Sequence, residues 1–185
     1  METMILGLGI FFAIHLLPTF SPLRNVLVET MGENVYKGIY ALISFVGLYF
    51  VVTGKGEAEF VAVWEPATWS YVVTNLSMLV ALYCLVAMNM QSNLKRLTAH
   101  PMLWGITFWS CGHLFTNGDQ ASIVLFGSFL TYSLFGMVSA NWRGAKPEGK
   151  KVSFRNDAMI MVISTIIYVG LANLHPYFTG MELVR

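Results

Sequence analysis

LTAHPMLWGITFWSCGHLFTNGDQASIVLFGSFLTYSLFGMVSANW, residues 97–142, carries one charged side chain in its whole length, Asp119. On the two sides of that aspartate lie 22 and 23 residues without a charge, 97–118 and 120–142. An α-helix rises 1.5 Å per residue, so roughly 20 apolar residues cross about 30 Å of hydrocarbon. Each run is long enough, and TNGD, residues 116–119, is a short turn signal between them. The stretch therefore reads as two antiparallel helices joined at one face of a membrane.

The same count applies to the rest of the chain. Charge-free runs cover 3–23, 66–94 and 158–181, with 21, 29 and 24 residues. A shorter one, 38–54, has 17 residues. It reaches about 26 Å, and Lys37 and Lys55 at its ends can snorkel outward. Six spans are predicted, in a single all-α polytopic membrane domain covering residues 1–185. Composition agrees: 56% of residues are hydrophobic and 11% charged, against about 25% charged in an ordinary soluble domain. A β-barrel is excluded, because its strands alternate every second residue. With no basic segment ahead of MILGLGIFFAIHLLP, the first run is expected to stay as a helix rather than act as a cleaved leader.

Nine of the eleven Lys and Arg residues fall in the connections between spans one and two, three and four, and five and six. Lys55 and Arg185 are the other two. The positive-inside bias then places both termini outside the cytoplasm. The basic loop RGAKPEGKKVSFR, residues 143–155, is a topology signal that can rest on anionic lipid, and the bilayer is the expected partner rather than nucleic acid. Leu23, Val26, Leu27 and Met31 share one stripe beside charges, which predicts a short helix lying in the interface between spans one and two. Trp64, Trp69 and Trp142 fall near span ends, as an aromatic belt places them.

Within the spans there is little chemistry. No Asp or Glu lies inside any of them, which argues against a proton relay or a carboxylate metal centre. Cys84 and Cys111 sit in different spans with no metal-ligand spacing and read as packing residues. Gly105, Gly112, Gly127 and Gly136 permit close helix approach or leave room for a flat macrocycle. Four histidines remain. His100 and His175 precede prolines and read as polar caps near the interface. His15 and His113 are flanked by apolar residues, and an ionisable group there is a candidate for function. Haem is the natural metal group to consider, since neutral imidazole in an apolar pocket binds its iron axially. His100 and His113 lie about 20 Å apart along one helix, too far to share an iron. Counted from the nearest charges, His113 and His175 share a level about 10 Å below the outer surface, whereas His15 falls near mid-membrane. Depth alone leaves the partner of His113 open.

AIHLLPTFSPLR, MGENVYKGIYALISFVGLYFVV, WEPATW and above all HPMLWGITFWSCGHLFTNGDQASIVLFGSF resemble the NnrU family. These are membrane proteins associated with nitrite and nitric oxide reduction in denitrifying bacteria. The chain is more distantly similar to the zeta-carotene isomerases of plants and cyanobacteria. The isomerase resemblance implies haem b, with axial histidines corresponding to His15 in FFAIH and His113 in WSCGH. Ala99 stands where the family usually has arginine before the His-Pro pair, and Ser110 stands where the isomerases have a cysteine. What the resemblance implies is a multi-pass protein of the bacterial inner membrane, linked to denitrification and binding haem b. Nitric oxide reductase or another membrane redox protein is then the expected protein partner. Two further readings stand beside it: a haem-dependent isomerase or oxidoreductase acting on a hydrophobic substrate, and a non-catalytic accessory or assembly factor without cofactor. Metal ligation is assigned to His15 and His113, with His175 as the alternative partner to His15.

Overall fold

The computed structural model describes residues 1–180, so Arg185, one of the two basic residues set apart from the other nine, lies outside the described residues. All regular elements among them are helices, and an isolated bridge joins Ala62 to Asp119. The chain forms two compact units, residues 1–61 and 62–185.

The first unit contains α1 (Glu2–Leu16), α2 (Ser21–Met31) and α3 (Glu33–Gly56). α1 and α3 pack backbone to backbone, because glycine supplies the contact. A Cβ on Gly7 would stand 2.5 Å from the Val51 nitrogen, and one on Gly47 would stand 2.8 Å from the Phe11 nitrogen. One on Gly54 would run into the Met4 backbone. Pairing 4 with 54, 7 with 51 and 11 with 47 makes the two helices antiparallel. Lipid tails are as apolar as leucine, so close van der Waals approach rather than hydrophobic burial drives such pairs. α3 is longer than the 38–54 run predicts. Its first turn includes Glu33, joined to Lys37 one turn on at 2.7 Å, and its last includes Lys55, so flanking charges extend the helix instead of ending it. α2 is the short helix expected after the first span.

The second unit contains α4 (Ser70–Ala87), α5 (Pro101–Thr116), α6 (Gln120–Trp142) and α7 (Phe154–Thr179). α5 packs between α4 and α6, and α7 packs on α4. Gly105 and Gly112 let α5 close on α4: a Cβ there would stand 2.8 Å from Leu85 Cγ and 2.6 Å from Met78 Cε. Gly136 faces Leu103, whereas Gly127 borders open space. The turn at 117–119 is set by Asp119, whose carboxylate accepts from the Ser122 N–H at 3.0 Å and caps α6. The 66–94 run is only partly helical, since α4 ends at Ala87 and 93–96 form a 3₁₀ turn. α7 runs through Pro176 for one more turn and stops at Gly180 with φ 69°, a left-handed position suited to glycine. His175 therefore lies inside a helix rather than at its end.

Among the described residues five helical segments are long and apolar enough to cross a membrane, the first of them α1 continued through a 3₁₀ turn to Thr19. α5, with 16 residues, reaches about 24 Å and falls short of that length. The surface is that of a protein solvated by lipid. Leu42, Phe45, Tyr49 and Val52 form an exposed stripe on α3, with Phe45 at 70%, and Val162, Ile166 and Val169 form one on α7, with Ile166 at 67%. The interior of the second unit sets small hydroxyls among apolar side chains: Ser70, Thr74, Thr107, Ser110, Ser122, Ser133 and Ser164 are buried beside Ala81, Phe126, Phe129, Met137 and Ile160. Thr107 Oγ1 and Ser133 Oγ bond across α5 and α6 at 2.9 Å. Thr74 Oγ1 shares its proton between the carbonyls of Ser70 and Gly112, linking α4 to α5. Each such bond is worth about 0.6 kcal/mol in a bilayer, so packing dominates and the hydroxyls fix register.

Candidate functional site

His113 is in the last turn of α5, where its side chain turns back along the helix. Its Nδ1 lies 2.9 Å from the Trp109 carbonyl oxygen. A carbonyl only accepts, so Nδ1 carries the proton and Nε2 carries the lone pair. That is the tautomer a metal takes, with the backbone bond fixing the ring as second-shell partners do at metal-ligating histidines. The imidazole stacks on Phe126 of α6 at 4.5 Å, and Trp109 stands 5.2 Å away. Trp109 in turn meets Phe126 and Phe129 edge to face at 5.0 and 5.4 Å. The two helices thus hold one imidazole in an aromatic enclosure.

His15 repeats the arrangement in the other unit. It lies in the last turn of α1, with Nδ1 2.7 Å from the Phe11 carbonyl oxygen, which again leaves the lone pair on Nε2. The ring stacks on Phe11 at 3.9 Å and stands 5.2 Å from Tyr40. Tyr36, 6.2 Å from Tyr40, buries a hydroxyl that has no hydrogen-bond partner among the described residues. Taken unit by unit, each imidazole carries its lone pair on Nε2 as axial ligation requires, and the first unit also holds a buried hydroxyl without a hydrogen-bond partner.

The other two histidines differ. His100 is the N-cap residue of α5 and its Nε2 bonds Asn141 Oδ1 at 2.7 Å, so it ties the start of α5 to the end of α6. It stands at the opposite end of α5 from His113, as the 13-residue separation predicts. His175 is half-buried on α7, with Nδ1 3.1 Å from Thr179 Oγ1. Among the described residues no three His, Cys, Asp or Glu side chains converge to hold a bare metal ion. Haem requires less from the chain, since the macrocycle supplies four of the six iron ligands.

Cys84 and Cys111 are free thiols, the first buried in α4 and the second half-buried in α5. Ser110, at the position of the isomerase cysteine, is fully buried.

One polar centre has no counterpart in the sequence reading. Asp157, in the first turn of α7, accepts from the Asn93 N–H at 2.9 Å, from Asn93 Nδ2 at 2.5 Å and from the Tyr83 hydroxyl at 3.2 Å. Asn93 also bonds both backbone groups of Val152, at 3.0 and 3.2 Å. The cluster joins α4, the 91–96 connection and the start of α7. The signal was present as an acid directly preceding the 158–181 run, where it reads only as a flank.

Neither a curated protein nor a solved structure matches the chain. A family model described as NnrU protein matches residues 3–183, across both units. By that match over nearly its whole length, the chain belongs to the NnrU family.

Proposed function

We propose that this chain is a multi-pass protein of the bacterial inner membrane that binds haem b with His113 as an axial ligand and takes part in nitric oxide and nitrite reduction. The observation that carries the reading is the His113 ring: proton on Nδ1 through Trp109, lone pair on Nε2, aromatic walls on two sides. Bound there, haem supplies a redox-active iron whose potential and ligation answer to the axial nitrogen. The chain's own contribution is to hold the imidazole neutral, oriented and shielded from water. The proposed link to denitrification rests on the NnrU resemblance, and the proposed six crossings with both termini outside rest on the charge distribution. In that topology α5 crosses as a short helix between two longer neighbours, a mismatch that local thinning absorbs at modest cost.

The second axial ligand is His15 by the isomerase resemblance, where its geometry matches that of His113. A His113–His175 pair is the competing reading, favoured by their equal depth when counted from the nearest charges. The test is the absorption spectrum of the protein purified in detergent, oxidised and reduced, beside His113→Ala. Low-spin haem bands present in the wild type and lost in the variant support the proposal. A wild type without haem, together with an unaltered cellular phenotype for His113→Ala, leaves the non-catalytic accessory role instead.

A further inference from the structure

Six of the eleven Lys and Arg residues lie in two connections of the second unit, Lys95 and Arg96 before α5 and Arg143, Lys146, Lys150 and Lys151 before α7, and Arg155 follows in the first turn of α7. The two connections are tied together, with the Glu148 N–H donating to the Lys95 carbonyl at 2.8 Å. Between them opens a cleft of about 360 Å³, lined among others by Lys95, Lys146, Glu148, His100, Met102 and Leu103. That volume is in the range of ligand sites.

Its lining carries two lysines and one glutamate. Lys95, with a side chain only 20% exposed, is held over the cleft. Among the described residues Lys95 pairs with Glu148, 3.9 Å away and 67% exposed, a long solvated pair that contributes little and opens easily. Lys146 brings a second positive charge. The α5 N-terminus opens on the same space: Pro101 has no N–H, and the Met102 and Leu103 N–H groups precede the first intrahelical acceptor, with no side chain capping them. Helix N-termini favour anions through those N–H groups and the dipole. His100 is a wall rather than a ligand, since its N–H goes to Thr98 Oγ1 and its Nε2 to Asn141. The cleft stands where the apolar flanks of these helices end, which is headgroup level for a spanning bundle.

We propose that this cleft binds an anionic phosphate, as the headgroup of an anionic phospholipid or as free phosphate. Basic pockets between transmembrane helices select such groups by charge and donor geometry. The proposal is independent of haem.

The test titrates the full-length protein in neutral detergent with short-chain phosphatidylglycerol, with phosphatidylcholine of equal chain length, and with inorganic phosphate at constant ionic strength. Bound lipid is read by native mass spectrometry. Phosphatidylglycerol is expected to bind at least about tenfold more tightly than phosphatidylcholine. Lys95→Gln with Lys146→Gln is expected to weaken phosphatidylglycerol about tenfold or more, and Lys150→Gln with Lys151→Gln, an equal charge loss in the same loop outside the cleft lining, less than about threefold. Competition by inorganic phosphate makes the phosphate itself the determinant; its failure to compete makes the whole headgroup the ligand. Equal binding of the two lipids, or equal losses in the two double variants, overturns the proposal. Should Lys95→Gln with Lys146→Gln fail to fold, Glu148→Gln decides: tighter phosphatidylglycerol binding upholds the site, and unchanged or weaker binding rejects it.

Discussion

His113 Nδ1 faces the Trp109 carbonyl oxygen at 2.9 Å, one helical turn back, while the ring lies flat on Phe126 from the next helix. One helix therefore sets the tautomer and its neighbour sets the ring plane. Phe126→Ala should leave the Nδ1 bond intact and free the plane. Haem retention on gel filtration should fall about tenfold, the lower end of the effect of losing a ligand-orienting neighbour. Retention at the wild-type level would show that stacking does not orient this ring.

The histidine set separates by position. His113→Ala should abolish the low-spin spectrum, and His100→Ala should leave it nearly unchanged, since His100 is engaged with Asn141 at the far end of α5. Between His15→Ala and His175→Ala, the variant that converts the iron to high spin identifies the second ligand. Inheritance from the isomerases names His15.

Topology is checked with a reporter that functions only in the cytoplasm. Fused after residue 148, within the basic loop, it should be active; fused after Arg185 it should be silent. The reverse pattern would invert the charge argument.

Gly54→Ala puts a methyl group into the Met4 backbone, and overpacking of this kind costs about 1–3 kcal/mol. Thermal unfolding in detergent should drop by several degrees. Gly9→Ala, whose Cβ would meet nothing within 4 Å, is the matched control and should not lower it.

Asp157→Ala leaves three donors, from Asn93 and Tyr83, without their acceptor. A lost acceptor for partly buried donors costs about 1–3 kcal/mol, so unfolding should come earlier and proteolysis in the 143–153 connection should quicken. Asp157→Asn keeps an acceptor oxygen and should lie between wild type and Ala.

Charge spacing carried most of the fold, because a bilayer penalises charge more than any local propensity. α6 begins and ends with the 120–142 run, since Asp119 caps one end and Arg143 follows the other. The rule fails where polarity and helicity part company. Met88 to Ser92 bear no charge yet leave the helix, while Glu33, Lys37 and Lys55 bear charge yet stay in one. Pro176 misplaced the end of α7, because a proline near a C-terminus removes only one intrahelical bond. Of the site, the sequence offered histidines and depths. The bond of His113 to Trp109 was implicit in a spacing of four, but the Phe126 wall comes from another helix and depends on how α5 and α6 rotate. The Asp157 cluster assembles three segments distant in sequence, and no single spacing announces it.

The glycine seam of α1 and α3 has a mechanical consequence. With backbone facing backbone at positions 7, 47 and 54, these three contacts have no room for a Cβ. Moving one helix by a residue along the other would bring Cβ-bearing residues into those gaps. In a membrane thicker or thinner than its own, the hairpin must therefore lean as a stiff unit, and its tilt reports bilayer thickness.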